Sequence, residues 1–154
     1  MNQITPVVKQ LLIVNVIIFL AANFFMPILN DYFPLYYFEN PSFEFWQPIT
    51  HMFMHGGFSH ILFNMFALYS FGSVLEQIWG GKKFILFYIL CGLGAAVLHT
   101  AVNYWQIHDV VSTLTLNGFK ENEIFELLNS GRIDTRWQEY VSQSGIQALG
   151  SSYL

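Results

Sequence analysis

The stretch "FILFYILCGLGAAVLHTAVNYW", residues 84–105, contains no Asp, Glu, Lys or Arg and decides the fold class. A helix of about 20 apolar residues crosses the roughly 30 Å hydrocarbon core of a bilayer. Two further apolar runs of similar length lie upstream, at residues 11–29 and 58–79. The sequence therefore predicts an all-α, polytopic membrane helical bundle with three transmembrane helices.

The composition of the chain supports the same class. Of the 154 residues, 54% are hydrophobic and only 10% are charged, against about 25% charged residues in soluble domains. The net charge is −4, and six scattered basic residues do not make a groove that follows phosphates, so no nucleic acid is expected as a partner. The single cysteine excludes an internal disulfide. We therefore expect the chain to lie in the lipid bilayer.

Basic residues predict the orientation of the three spans. Lys9 precedes the first run, and Lys82 and Lys83 join the second run to the third, whereas residues 30–57 contain no Lys or Arg. Cytoplasmic loops are enriched in basic residues. The N-terminus and the turn at Lys82 are therefore predicted to be cytoplasmic. Residues 30–57, rich in aromatic side chains, are predicted to be extracytoplasmic and partly embedded in the membrane face. The alternative for this loop is a packed extracellular cap.

The composition changes after Trp105. Residues 1–105 are predicted to form the membrane domain, and residues 106–154 a polar extracytoplasmic loop or tail with short helices. Ile124, Leu127 and Leu128 would share one face of a helix that ends at Gly131. A second helix would begin after Asp134. We expect this tail to be too short to build a core of its own.

Two polar residues near the start of the second span need an explanation. His60 and Asn64 are four residues apart and therefore share one helix face. At 1.5 Å per residue, Asn64 would lie about 9 Å below the outer surface. Polar side chains at that depth usually face a protein interior or a watery cavity. One interpretation is a hydrogen bond that holds neighbouring helices together.

The surrounding sequence points to a more specific interpretation. The segment "WQPITHMFMHGGFSHILFNMFALYSFGSVLEQIWGGKKF", residues 46–84, resembles the second transmembrane helix and entry loop of the rhomboid intramembrane serine proteases. The resemblance covers about residues 8–105, the first three helices of a six-helix core. It implies a serine endopeptidase that needs no cofactor or metal and cleaves transmembrane protein substrates within the bilayer. It also implies roles for six residues: oxyanion-stabilising donors at His60 and Asn64, and structural roles at His55, Gly56, Gly57 and Glu76.

Gly56 and Gly57 are expected to let the chain turn tightly into the second span. His55 is expected to tie the loop to that span, and Glu76 to form a buried pair. Glu76 could equally be a carboxylate at the membrane interface.

The chain departs from the rhomboid pattern in two places. The family's Gly-x-Ser-Gly helix and its later histidine helix have no match, since Ser144 and residues 150–153 give only partial motifs without a following apolar run. No catalytic residue is therefore assigned, and the chain is expected to be an inactive fragment of such an enzyme. Gln47 follows Trp46 where the family often has Arg, which puts the usual polar anchoring of the loop in doubt.

Two other function classes fit part of the pattern. The first is a non-catalytic rhomboid-like protein that binds transmembrane helices. The second is a small membrane haem or metal carrier, since His99 would lie on the third span at a depth like that of Asn64. His51, His55 and His60 also cluster, but the carboxylate that a zinc-protease helix requires is missing. No metal site is predicted, and an absorption spectrum would separate the carrier from the protease.

Overall fold

In the computed structural model, which describes residues 4–153, this part of the chain is helical and contains no strand. Three helical stretches are long and apolar enough to cross a membrane: Pro6–Phe25, Phe58–Trp79 and Gly81–Leu116. These stretches confirm the predicted all-α membrane architecture. The α-helices are α1 (Pro6–Leu20), α2 (Leu29–Tyr32), α3 (Gln47–Thr50), α4 (Phe58–Ala67), α5 (Ser73–Trp79), α6 (Gly81–Leu116), α7 (Glu121–Asn129) and α8 (Gln143–Tyr153).

The bounds of two spans differ from the sequence prediction of 11–29 and 84–105. The first begins at Pro6, because proline suits the first turn of a helix, and it closes with the π-helical turn Ala21–Phe25, shortly before Pro27. The second has the predicted bounds and contains a π-helical turn, Leu68–Gly72, between α4 and α5. The third span starts at Gly81 instead of residue 84 and ends 11 residues after Trp105.

The chain divides into two compact units. Unit 1 comprises residues up to Leu35 together with Phe45–Ala95, and unit 2 comprises Tyr36–Glu44 and the chain from Ala96 onward. The predicted boundary at residues 105/106 instead divides the chain where its composition becomes polar.

Unit 1 has a small core around the start of the first span. Val8, Leu11 and Phe84 are buried there. Gly72 lies against them, since a Cβ on this residue would be 3.1 Å from side-chain atoms of both Val8 and Phe84. Most other apolar side chains of the spans are exposed, as expected for surfaces that face lipid.

Unit 2 has the larger core, and the expectation that the tail would lack one was wrong. Residues 107–114 of α6 continue the helix with an amphipathic pattern, in which Ile107, Val110, Val111 and Leu114 are buried. They pack with Tyr37 of the loop 30–57 and with later residues of the tail: Ile124, Leu128, Trp137, Leu149 and Tyr153. The tail is short, but its first residues extend α6, and Tyr37 adds apolar surface from outside the tail.

The helices of the tail agree only partly with the prediction. α7 carries Ile124 and Leu128 on its buried face, and Gly131 follows in the left-handed region with φ +70°. After Asp134 the chain forms a 3₁₀ turn, Thr135–Glu139, instead of an α-helix, and the Asp134 carboxylate accepts the N–H of Arg136. α8 was not predicted. It is attached to the aromatic loop by a 2.7 Å hydrogen bond from Asn40 Nδ2 to the Ser152 carbonyl.

Candidate functional site

The predicted site residues His60 and Asn64 lie on α4, one turn apart. The chain enters α4 through Gly56 and Gly57. Gly57 has extended backbone, with φ 165° and ψ 171°, and neither glycine is in the left-handed region. A Cβ on either residue would meet nothing within 4 Å. The chain bends at both residues, but the bend does not require glycine, because other residues can adopt this backbone without a clash.

His60 presents a ring nitrogen as a hydrogen-bond donor. Its Nδ1 accepts the backbone N–H of Gly56 at 3.4 Å. A ring nitrogen that accepts carries no proton, so the proton of the neutral ring lies on Nε2. The His60 side chain is exposed in unit 1. Its Nε2–H is therefore oriented by the loop and free to donate.

His55 lies beside His60 as a buried, neutral ring. The two rings meet edge to face, with centroids 5.2 Å apart. His55 Nδ1 donates to the carbonyl of Phe53 at 3.2 Å, which places its proton on Nδ1. Burial lowers the pKa of His55 below its ordinary value, and the neighbouring His60 lowers it further, against the opposing effect of the Phe53 carbonyl. His55 thus adds no positive charge to the site at neutral pH.

Asn64 lies at the wall of a cavity of about 340 Å³ in unit 1. Its side chain is exposed, and no hydrogen bond of this side chain is seen among residues 4–153. The other polar groups at the wall come from α1, from the loop before α4 and from α6. The lining residues are Asn15, His51, Met52, His55, Asn64, Met65, Leu68, Tyr88, Cys91 and Gly92. The amide of Asn64 is thus available to a ligand in a cavity with polar walls.

Sequence reasoning missed Asn15 as a residue of this cavity. Its side chain is fully buried on α1, and its Nδ2 donates to the Leu11 carbonyl at 2.7 Å. Its Oδ1 is buried without a hydrogen-bond partner among the described residues. A lone amide inside the run "LLIVNVIIFL" was the available signal, because a polar side chain within a membrane span usually has a structural or functional role.

Glu76 joins the second span to the start of the first. Its carboxylate is buried and accepts two backbone N–H groups, from Val7 to Oε1 at 3.0 Å and from Val8 to Oε2 at 2.9 Å. The first N–H groups of a helix have no partner within the helix, and the helix dipole favours a negative charge at this end. Glu76 therefore caps α1, so that its partners are backbone groups and not a basic side chain.

Gln47 anchors the loop in the place where an arginine was expected. The side chain is fully buried, and its Nε2 donates to the Tyr32 carbonyl at 3.4 Å. Trp46 Nε1 donates to the same carbonyl at 3.3 Å. A neutral amide and an indole thus connect the end of the aromatic loop to α2.

His99 and the serines of the tail lie in unit 2. His99 Nε2 accepts from Asn103 Nδ2 at 3.0 Å, so this nitrogen is engaged within the same helix. Ser142 Oγ lies 2.9 Å from Ser144 Oγ and accepts the N–H of Gly145, as a helix cap does. Ser152 is buried. Across residues 4–153, no three His, Cys, Asp or Glu side chains come together in a way that could hold a metal ion.

Comparisons with known proteins match the part of the chain that contains α4. Residues 42–108 match the family model described as the Rhomboid domain. The chain is 33% identical over 54 residues to the rhomboid protease GluP of Bacillus subtilis (strain 168) and 33% identical over 100 residues to RHOMBOID-like protein 6, mitochondrial, of Arabidopsis thaliana. It is also 31% identical over 67 residues to the rhomboid protease AarA of Providencia stuartii. No solved structure matches the chain.

These alignments cover parts of the proteins compared. They include 35%, 65% and 44% of this chain, respectively, and 11%, 30% and 23% of the three relatives. The chain therefore spans less than a third of the length of each of these relatives. The matched domain includes α4, the loop before it and most of α6, and thus His55, His60, Asn64 and Glu76.

Proposed function

We propose that the chain, of which residues 42–108 match the Rhomboid domain, belongs to the rhomboid family and forms part of an intramembrane serine endopeptidase in which His60 and Asn64 bind the oxyanion. The substrates are transmembrane segments of other proteins, cleaved near the extracytoplasmic face. The nucleophile and its base are assigned to no residue of this chain. The proposed topology has the N-terminus in the cytoplasm and residues 30–57 and 106–154 outside it.

The observation that carries this proposal is a pair of available donors one helical turn apart on α4. Attack on a peptide carbonyl places negative charge on its oxygen, and donors already in position stabilise that charge before the leaving amine departs. His60 offers Nε2–H, because Gly56 occupies Nδ1. Asn64 offers its amide at the wall of the cavity. Two N–H groups that have no competing partner among residues 4–153 form a site that favours an anion over a neutral carbonyl.

The environment of the pair supports this role. His55 is neutral at pH 7, so that the anion meets oriented hydrogen bonds and no mobile counter-charge from this ring. Glu76, the carboxylate on the same span, is held by the N–H groups of Val7 and Val8. Its charge is thereby compensated by the N-terminus of α1. The same span thus carries both the donor pair and the contact that fixes it to α1.

A haem carrier is the less favoured alternative. A haem-ligating histidine needs a free ring nitrogen, and His99 Nε2 is bonded to Asn103. A non-catalytic binder of transmembrane helices would use the same surfaces as the protease but would not cleave. The protease, the binder and the haem carrier can be distinguished by measuring substrate cleavage, substrate binding and haem absorption.

The deciding experiment uses the protein encoded by the whole gene, reconstituted in liposomes with a fluorescent transmembrane substrate. We expect cleavage that a fluorophosphonate, a serine-directed inhibitor, abolishes. Substrate binding without cleavage would contradict the protease and favour the binder. A Soret band in the purified protein would contradict the absence of a cofactor and favour the carrier.

A further inference from the structure

A methionine of the loop before α4 packs into the space left by a glycine of α6. Met52 lies in the 3₁₀ turn His51–Phe53, and its side chain covers Gly92. A Cβ built on Gly92 would overlap Sδ and Cε of Met52 and would lie 2.8 Å from its Cγ. The absence of a side chain at Gly92 is therefore what allows Met52 to lie flat on the helix.

Both residues of this contact lie at the wall of the cavity that contains Asn64. Met52 stands between His51 and His55 in the chain, and all three line the cavity, as does Cys91 beside Gly92. The loop is attached on its other side through Gln47 and the Tyr32 carbonyl. Met52 on Gly92 is thus the packing contact that holds the histidine-bearing end of the loop against α6.

We propose that Met52 and Gly92 are positioning residues. The Met52 side chain packs into the space that Gly92 leaves on α6, and this contact, which we call the seating of the loop, fixes His55 beside His60. The consequence for catalysis rests on the proposed function of His60 and Asn64. The seating itself is a property of this chain and can be measured without any cleavage assay.

A comparison of two glycines on α6 isolates this contact. Alanine is the better helix former, so replacing an unconstrained glycine within a helix stabilises it. Gly94 is such a position, because a Cβ there would meet nothing within 4 Å. At Gly92 the same methyl group would displace Met52. The displaced atoms are the far end of a flexible side chain, so we expect α6 to form and the loop to lose its packing contact with α6.

The native chain provides its own probe, because Cys91 is its single cysteine. Cys91 is ten residues into α6, about 15 Å from the helix start at 1.5 Å per residue and thus in the middle of the membrane. Cys91 is exposed and lies at the wall of the cavity, so we expect a charged, membrane-impermeant methanethiosulfonate to reach it from that side and not through the lipid. The rate of labelling in liposomes, followed by intact mass, therefore reports how far Met52 closes the cavity wall.

We expect Gly92→Ala to raise the labelling rate of Cys91 about tenfold, the size of effect that one extra methyl in a packed site produces. Gly94→Ala should label at the native rate. Met52→Ala should also raise the rate, and adding Gly92→Ala to it should change nothing further, since the colliding partner is gone. The ¹³C-methyl signal of Met52 should shift in Gly92→Ala and stay unchanged in Gly94→Ala.

Two results would overturn the positioning role. One is a native labelling rate in Gly92→Ala. The other is an effect of Gly92→Ala that persists in the Met52→Ala background. If the seating is measured as expected but the protein encoded by the whole gene cleaves no substrate, the proposed function fails and the seating stands. If cleavage is found but labelling does not respond, the positioning role alone fails.

Discussion

The carboxylate of Glu76 accepts the backbone N–H of Val8 at 2.9 Å, and so joins the C-terminal end of the second span to the first turn of α1. Its other oxygen accepts from Val7 at 3.0 Å. The sequence gives no indication of this arrangement, since the partners are backbone groups that any residue carries. The contact explains how a carboxylate is accommodated at the end of a membrane span.

Glu76→Gln should destabilise the fold, because the amide keeps one acceptor oxygen and loses the negative charge. Hydrogen bonds to charged groups contribute about 1.5–3 kcal/mol, so we expect a loss of about 1–3 kcal/mol in the free energy of unfolding. Thermal unfolding in detergent measures it. Glu126→Gln, at an exposed position on α7, is the matched control and should unfold like the native chain. Equal midpoints for Glu76→Gln and the control would contradict the capping role.

His55 should make stability depend on pH. Burial lowers its pKa in the folded chain below the ordinary value of 6.5, so the unfolded chain takes up a proton first as the pH falls. The stability that the neutral ring contributes is therefore complete above pH 6.5 and is lost as the pH decreases from there towards the folded pKa. His55→Asn keeps a donor for the Phe53 carbonyl and does not titrate.

Unfolding midpoints of the native chain and of His55→Asn, measured between pH 5 and 8, test this dependence. The difference between the unfolding midpoints of the two proteins should shrink or reverse as the pH falls. Because both proteins contain the other histidines, the contributions of those residues cancel in this difference. Parallel curves would show that burial does not shift the titration of His55.

The core of unit 2 should depend on α8. Leu149 is fully buried in that helix, and truncation of a buried leucine costs about 2–5 kcal/mol. Leu149→Ala should therefore increase amide hydrogen exchange in α8 and in the loop segment Tyr36–Glu44, which Asn40 attaches to Ser152. Leu116→Ala is the control, because Leu116 is 87% exposed. Unchanged protection in Leu149→Ala would mean that α8 does not belong to this core.

The spans were predictable because an apolar run of membrane length has few other interpretations. The extension of α6 was missed because Ile107, Val110, Val111 and Leu114 follow a helical period within a polar segment, and the change of composition at Trp105 was taken as an end. α8 was missed because its sequence, "QSGIQALGSSY", contains two glycines and three serines, which have low helix propensity. Burial of Leu149 and Tyr153 outweighs that preference.

The members of the candidate site remain a prediction from the sequence, and their contacts could not be predicted from it. The i, i+4 spacing of His60 and Asn64 placed them on one face, and the resemblance to rhomboids supplied their role. The tautomer of His60 depends on Gly56, whose backbone N–H reaches Nδ1 only in the folded loop. The contact of Met52 with Gly92 joins residues 40 apart in the chain, and neither residue type indicates the other.

The oxyanion role of Asn64 is tested most directly by kinetics of the protein encoded by the whole gene in liposomes. Donors that act mainly on the transition state change kcat more than KM. Asn64→Ala should lower kcat about 10²–10³-fold, with KM and the unfolding midpoint nearly unchanged. Asn23→Ala removes an exposed amide that, among residues 4–153, bonds only to the Phe19 carbonyl, and this variant should cleave at the native rate. Native kcat in Asn64→Ala would contradict the account.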